Sequence, residues 1–371
     1  MERAFGGVFQ GIPVLLTGHT GFKGSWLSVW LHELGAEVIG YSLDPPTVPS
    51  NFEASRLSQR VVDVRDDVRE LNALQRTIAE FKPQIVFHLA AQTIVRESYT
   101  NPKETFDVNV GGTVNVLEAL RSAPSVRAMV CITTDKCYEN QEWTWGYREN
   151  DRLGGRDPYS ASKAMAELAV AAYRQSFFPP DQYAEHRVAV ASTRAGNVIG
   201  GGDWGTDRLV PDCVRALVKG QTIHVRNPYS ARPWQFVLEP LSGYLWLAAR
   251  LVREGDRFAQ AWNFGPPERL AVSVGDLVQE LIQLWGGGDW KDASSDQAPH
   301  EAGLLMLSWE KAANLLGWQP VYTWHQALAE TVGWFKEHHE RDSSADMYDT
   351  CVAQIERYVN RARELGVAWA M

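Results

Sequence analysis

Six short apolar runs, at residues 14–17, 38–41, 61–63, 85–89, 129–133 and 188–193, recur through the first half of this 371-residue chain, with amphipathic segments such as 108–120 and 160–173 between them. Runs that are apolar on consecutive residues suit strands buried on both faces. Helical spacers of that length suit the right-handed crossovers that join parallel strands. The pattern predicts an α/β fold built on a doubly wound parallel sheet. After about residue 197 the rhythm gives way to short strands (222–225, 261–264) and helices (209–219, 239–252, 274–284, 309–316, 324–337), and 11 of the 15 tryptophans lie from Trp204 onward. Residues 1–196 therefore read as one domain and 197–371 as a smaller, mixed α/β second domain, with segments interleaved. Residues 286–297, rich in Gly, Asp and Ser, read as an exposed loop, and 342–345 as a short linker before a final helix.

Charge and cysteine content exclude several classes. The 36 basic and 45 acidic residues give a formal net charge of −9, with no basic block, which argues against a nucleic-acid partner. No run reaches the roughly 18–20 apolar residues of a membrane span, and residues 1–10 lack the apolar core of a secretion signal. Cys131, Cys137, Cys213 and Cys351 form no C-x-x-C pair and no His cluster accompanies them, so no metal site is expected. Reduced thiols and the missing signal predict a cytoplasmic protein.

Directly after the first apolar run comes Thr17-Gly18-His19-Thr20-Gly21-Phe22-Lys23-Gly24, followed by an apolar helical run to Leu34. Strand, three spaced glycines and helix let a pyrophosphate approach backbone N–H groups at a helix N-terminus. The first domain is thus expected to bind a dinucleotide. An acidic residue for the adenine ribose should end the second strand; Ser42 stands there, with Asp44 two residues on and no arginine close by for a 2′-phosphate, which favours NAD. Further along, Tyr159-Ser160-Ala161-Ser162-Lys163 sets a phenol and an ammonium on one helix face, where the cation would favour phenolate and make Tyr159 a general base. It follows by 25 residues a strand ending Thr133-Thr134-Asp135-Lys136-Cys137-Tyr138.

The G-x-x-G-x-x-G turn and the Tyr/Lys pair resemble the extended short-chain dehydrogenase/reductases, which have a Rossmann-type fold. Asp135-Lys136 narrows the resemblance to the sugar-nucleotide 4,6-dehydratases, in the branch acting on CDP-glucose, with similar segments at 17–31, 88–98, 134–148, 154–163, 194–203, 226–234 and 300–305. The resemblance spans about residues 10–330. It implies NAD as cofactor, CDP-glucose as substrate, and a lyase reaction in deoxysugar biosynthesis: oxidation at C4, loss of water across C5 and C6, and return of the hydride to C6, giving CDP-4-keto-6-deoxy-D-glucose. Thr134, rather than Thr133, would hold the substrate hydroxyl beside Tyr159 and Lys163, with Lys136 as base at C5 and Asp135 as acid to the departing 6-hydroxyl. Gly18, Thr20, Gly21, Phe22, Lys23 and Gly24 would cradle the cofactor, with Asp63 and Val64 at the adenine and Leu89, Ala90 and Ala91 along the ribose and pyrophosphate. Arg232 would hold the substrate diphosphate, and Asn197 the diphosphate or the sugar. Gln92 and Arg96 would touch the glucose, Arg208, Leu209 and His224 would frame the base, and His300 would close the site. Helices 108–120 and 160–173 carry many small or apolar residues, and the resemblance implies pairing through them, which predicts a homodimer. A 4-epimerase shares this apparatus but has no use for Asp135-Lys136; a non-catalytic NAD-binding regulator has no use for the catalytic set.

Overall fold

The computed structural model describes residues 4–267, 272–294, 304–341 and 346–371. Strands β1 (Pro13–Thr17), β2 (Glu37–Ser42), β3 (Val62–Arg65), β4 (Ile85–His88), β5 (Ala128–Ile132) and β6 (Ala189–Ala195) alternate with helices, of which the longer are α1 (Phe22–Glu33), α2 (Leu71–Phe81), α3 (Gly112–Arg121) and α4 (Pro158–Ser176). The later elements include β7 (Val198–Ile199), α5 (Leu209–Val218), β8 (Ile223–Val225), β9 (Ala231–Arg232), β10 (Gln235–Phe236), α6 (Leu238–Glu254), β11 (Ala261–Phe264), β12 (Val272–Ser273), α7 (Val274–Trp285), β13 (Trp290–Asp292), α8 (Trp324–Glu340) and α9 (Tyr348–Glu364).

The main sheet is parallel throughout, in the order β3-β2-β1-β4-β5-β6-β11. Alternate strand residues feed two cores: Val14, Leu16, Phe87 and Val130 join one cluster, while Leu15, Val86 and Met129 join the cluster under α2, α3 and α4. The strand order reverses between β1 and β4, and at such a switch point the carboxyl ends of the strands leave a crevice. The sequence assigns 261–264 to the second domain, yet β11 pairs with β6 as the last strand of the first, because Trp262, Asn263 and Phe264 are fully buried and need a sheet to join. Helix α6 packs behind β5 and β6, so the second half of the chain returns to the first.

The expected loop at 286–297 contains β13, whose Trp290 pairs with Ile223 of β8. Three residues are too few for a periodic signal, and the partner strand supplies the register. Residues 295–297 of that loop and the linker 342–345 lie outside the described residues. The segment 108–120 begins as a π turn, Asp107–Gly111, before α3. Near the two ends of the described chain, Phe5 stacks on Trp369 at 5.0 Å and meets Trp30 of α1 edge-on. Among the described residues no helix is long and apolar enough to cross a membrane, and no three His, Cys, Asp or Glu gather as a metal ion would need.

Candidate active site

A cleft of about 1720 Å³ opens over the switch point. At its cofactor-side wall, Gly18 (φ +78°) turns so tightly that a Cβ would lie 2.7 Å from the Ala90 amide nitrogen, and a Cβ on Gly24 would lie 2.0 Å from the Gly18 carbonyl oxygen. Only glycine permits that approach. Gly21 caps α1 without a side-chain bond, so the first-turn N–H groups have no side-chain partner at that cap and suit a pyrophosphate. Lys23 stands in the same turn; desolvation first, then the charge of Arg208, lower its ammonium to about 8. Glycine cradle, uncapped helix end and cation fit a dinucleotide.

The adenosine end departs from expectation in part. Ser42 meets Thr20 hydroxyl to hydroxyl at 2.9 Å, and both line the cleft with Asp44, whose side chain is 94% exposed. Arg65 stands 3.6 Å from Asp44 and donates to the Leu43 carbonyl, which overturns the expectation that no arginine is near; β2 and β3 bring Ser42 opposite Arg65, a neighbour that the linear sequence hides. Asp63 and Val64 are not on the cleft wall. Asp63 accepts from His19 Nε2 and from Arg65, both at 2.8 Å, and Asp66, Asp67 and Val68 line the cleft instead.

Thr134, Asp135, Lys136, Tyr159 and Lys163 converge on the cleft floor. Strand β5 delivers Thr134, whose hydroxyl donates to Asp135 Oδ1 at 2.9 Å and accepts from the Lys136 N–H. Helix α4, started by Asp157, which accepts from the Ser160 N–H, and by Pro158 in its first turn, presents Tyr159 and Lys163 one turn apart. Burial raises the Asp135 carboxyl, against the pull of Lys136 and Thr134, and so favours its protonated form. Burial lowers Lys163. It also drives the Tyr159 phenol upward, with the Thr134 hydroxyl and the Arg208 charge pulling the other way. The expected pull of the Lys163 cation toward phenolate is opposed by desolvation, the larger effect at Tyr159. Beneath Lys163, His88 bridges Thr17 (2.8 Å) and Thr113 (3.1 Å), and burial holds it neutral, at about 3.

Leu89, Ala90, Ala91, Arg96, Asn197, Arg208, Leu209, His224 and Arg232 all line the cleft, with Thr20, Phe22 and Lys23. Gln92 does not. Its amide turns inward to Ile94 and Thr105, and its backbone is clamped by Asn109 from the π turn, which also donates to Ser162. His300 lies outside the described residues. Sequence reasoning missed Asn109, although a lone Asn on the apolar face of 108–120 was a signal. It also missed Asp203, Asp207 and Arg226. Arg208 donates to both oxygens of Asp203 at 2.8 Å and to Thr93, while Asp207, in left-handed backbone (φ +58°), accepts from Arg226 at 3.0 Å and stands 3.4 Å from Arg96. Arg208 lies five positions from Asp203, but its bond to Thr93 and the approach of Arg96 to Asp207 each span more than 100 positions, and no local pattern announces those.

Fold and site together define a short-chain dehydrogenase/reductase of the extended type. Within that class the chain belongs to the family described as GDP-mannose 4,6 dehydratase, whose profile matches residues 15–263. It is 52% identical over 328 residues to CDP-glucose 4,6-dehydratase of Salmonella typhimurium (strain LT2), covering 88% of this chain and 91% of that protein. It is 26% identical over 340 residues to dTDP-glucose 4,6-dehydratase of Xanthomonas campestris pv. campestris, covering 86% and 92%. The structure of dTDP-glucose 4,6-dehydratase from Bacillus anthracis in complex with NAD matches with a TM-score of 0.73 at 24% identity, across 89% of this chain and 98% of that one, a likeness of fold.

Proposed function

We propose that this chain converts CDP-D-glucose to CDP-4-keto-6-deoxy-D-glucose and water, with NAD bound at the glycine turn. The observation that carries the reading is Asp135 and Lys136 on the cleft floor beside Thr134, Tyr159 and Lys163, because oxidation alone has no use for a further acid and base. The 52% identity to a CDP-glucose 4,6-dehydratase supports the same chemistry.

When bound, oxidised NAD would accept hydride from C4 and, once reduced by that step, would return it to C6. Tyr159 accepts the O4 proton, with Lys163 and Thr134 setting its position. The resulting 4-ketone acidifies C5–H, Lys136 accepts that proton and gives one back to C5 when hydride reaches C6, and Asp135, whose carboxyl burial raises, gives a proton to the departing O6. Ser42 and Asp44 line the cleft, as do Leu209, Ile223, His224 and Arg226. We assign the first set to a dinucleotide arm and the second to a nucleoside arm for the substrate. There Asp207 is the acceptor that the N4 amino group of cytosine requires, and Arg226 is the donor for its ring acceptors. Uracil and thymine carry a carbonyl at that edge and would be repelled by the carboxylate.

The four cysteines are buried and unpaired, as suits the cytoplasm, and Met165 and Leu168 stay exposed on α4, which suits a homodimer through that helix. Incubation with NAD and each of CDP-, dTDP-, GDP- and UDP-glucose, with products identified by mass spectrometry, tests the reading. Loss of water from CDP-glucose supports it; an isomer of unchanged mass would assign an epimerase instead.

A further inference from the structure

Behind the catalytic floor lies a buried polar network centred on Arg194 near the end of β6; Arg194 and Glu167 are off the cleft wall, while their partners Thr133 and Tyr138 line it. Its Nη2 donates to Glu167 Oε2 at 2.9 Å; its Nη1 donates to the Tyr138 hydroxyl at 2.6 Å and to the Glu149 carbonyl at 3.1 Å. The guanidinium also covers the Tyr138 ring, 4.9 Å from its centroid. Glu167 accepts further from Thr133 (2.5 Å), just past β5, and from Ser192 (2.7 Å) on the neighbouring β6. Glu167 follows Lys163 by four residues and Tyr159 by eight, so the carboxylate that holds the strand ends also holds the helix face that presents both. Tyr138 follows Lys136 by two. Its hydroxyl passes its proton-side bond to Asn263 Oδ1 at 2.9 Å, and Asn263, on β11, is fixed in turn by Glu149 and by the Tyr147 carbonyl.

Burying an ion pair is expensive, and packed apolar residues hold strands and helices together at least as well. What apolar packing cannot do is join three elements at set angles, which a planar guanidinium does with several donors at once. Arg194 has two grips. One, through Glu167, is on the helix that carries the oxidation pair; the other, through Tyr138, is on the turn Asp135–Cys137 that carries the elimination pair.

We propose that Arg194 and Tyr138 are positioning residues that set the Asp135-Lys136 turn against Tyr159 and Lys163, so that elimination keeps pace with oxidation at one sugar; this rests on the dehydratase reading above. The two grips are separable. Tyr138→Phe cuts only the one on the turn, because the hydroxyl it removes donates to Asn263 and accepts from Arg194. Asn263→Ala loosens the same tether from a residue outside the cleft.

The test follows CDP-glucose in single turnover, reading the near-ultraviolet absorbance of reduced nicotinamide, solvent deuterium entering C5, and keto-deoxysugar formed. In Tyr138→Phe and Asn263→Ala, oxidation should persist while elimination slows roughly tenfold, so reduced nicotinamide accumulates before product. Arg194→Met should slow both steps. A role confined to holding the fold together would lower the melting temperature and slow both steps alike in all three variants. The proposal is overturned if Tyr138→Phe and Asn263→Ala fold and partition as wild type does, or slow both steps equally; should either fail to fold, the conservative Arg194→Lys, read for the same partition, decides. Wild-type protein that makes no keto-deoxysugar overturns the dehydratase reading itself, and this inference with it.

Discussion

The same chemical pairing, guanidinium with carboxylate, occurs in two regions of the molecule with different surroundings. Under the catalytic floor, Arg194 and Glu167 are 4% and 2% exposed; across the nucleoside arm, Arg96 and Arg226 are each 44% exposed and the Asp207 between them 37%. A buried pair cannot exchange partners without stranding a charge, and breaking one costs about 3–5 kcal/mol. A half-exposed pair contributes about 0–1 kcal/mol and gives way readily to a ligand that offers better partners. The first region is built to hold geometry still; the second can change partners, as the proposed seating of the substrate nucleoside requires. The strained backbone of Asp207 fits a clamp held ready for a ligand.

That contrast can be broken from either side. The largest effect belongs to the floor: Tyr159→Phe should cut turnover by roughly 10³-fold while binding of NAD, followed by fluorescence titration, stays within about twofold. Retained turnover would move the base elsewhere. Lys136→Ala comes next. It should slow dehydration by about 100-fold yet leave transient reduction of nicotinamide, because Tyr159, Lys163 and Thr134 are untouched; wild-type dehydration would remove the lysine from its role.

On the arm, Asp207→Asn should leave kcat for CDP-glucose within about threefold but reduce the preference for it over UDP-glucose, as a ratio of kcat/KM, by roughly tenfold, since an amide both donates and accepts. A loss of kcat with the preference intact would mean that Asp207 belongs to the rigid region after all. The smallest effect is a pH dependence. Lys23, lowered to about 8, is cationic below that pH and neutral above it, so the Kd for NAD should rise about threefold between pH 7 and 9, and Lys23→Met should flatten the curve.

What the sequence made legible is what depends on short spacing. Gly18, Gly21 and Gly24, or Tyr159 and Lys163, act through neighbours three or four positions away, and their geometry follows from the turn or helix they sit in. The residues that escaped depend on lateral register. Arg65 meets Asp44 only because β3 lies beside β2, Asp63 turns to His19 rather than to the cleft, and Asn263 reaches Tyr138 only because β11 joins the main sheet. Gln92 sits at the expected strand end, but its amide is consumed by its own loop, a choice made by Asn109 some 17 positions later. The rise in the Tyr159 phenol was equally hidden, since burial is a property of the packed molecule.

The stacking of Phe5 on Trp369 ties together residues more than 360 positions apart, and Trp30 of α1 packs against both. Closing so long a loop is entropically costly and late. The flank of α1 at Trp30 is covered from more than 300 positions away, by Tyr358 of α9 and by Trp369. A shortened chain lacking residues 365–371 would therefore uncover part of Trp30, in the half that contains none of the missing residues.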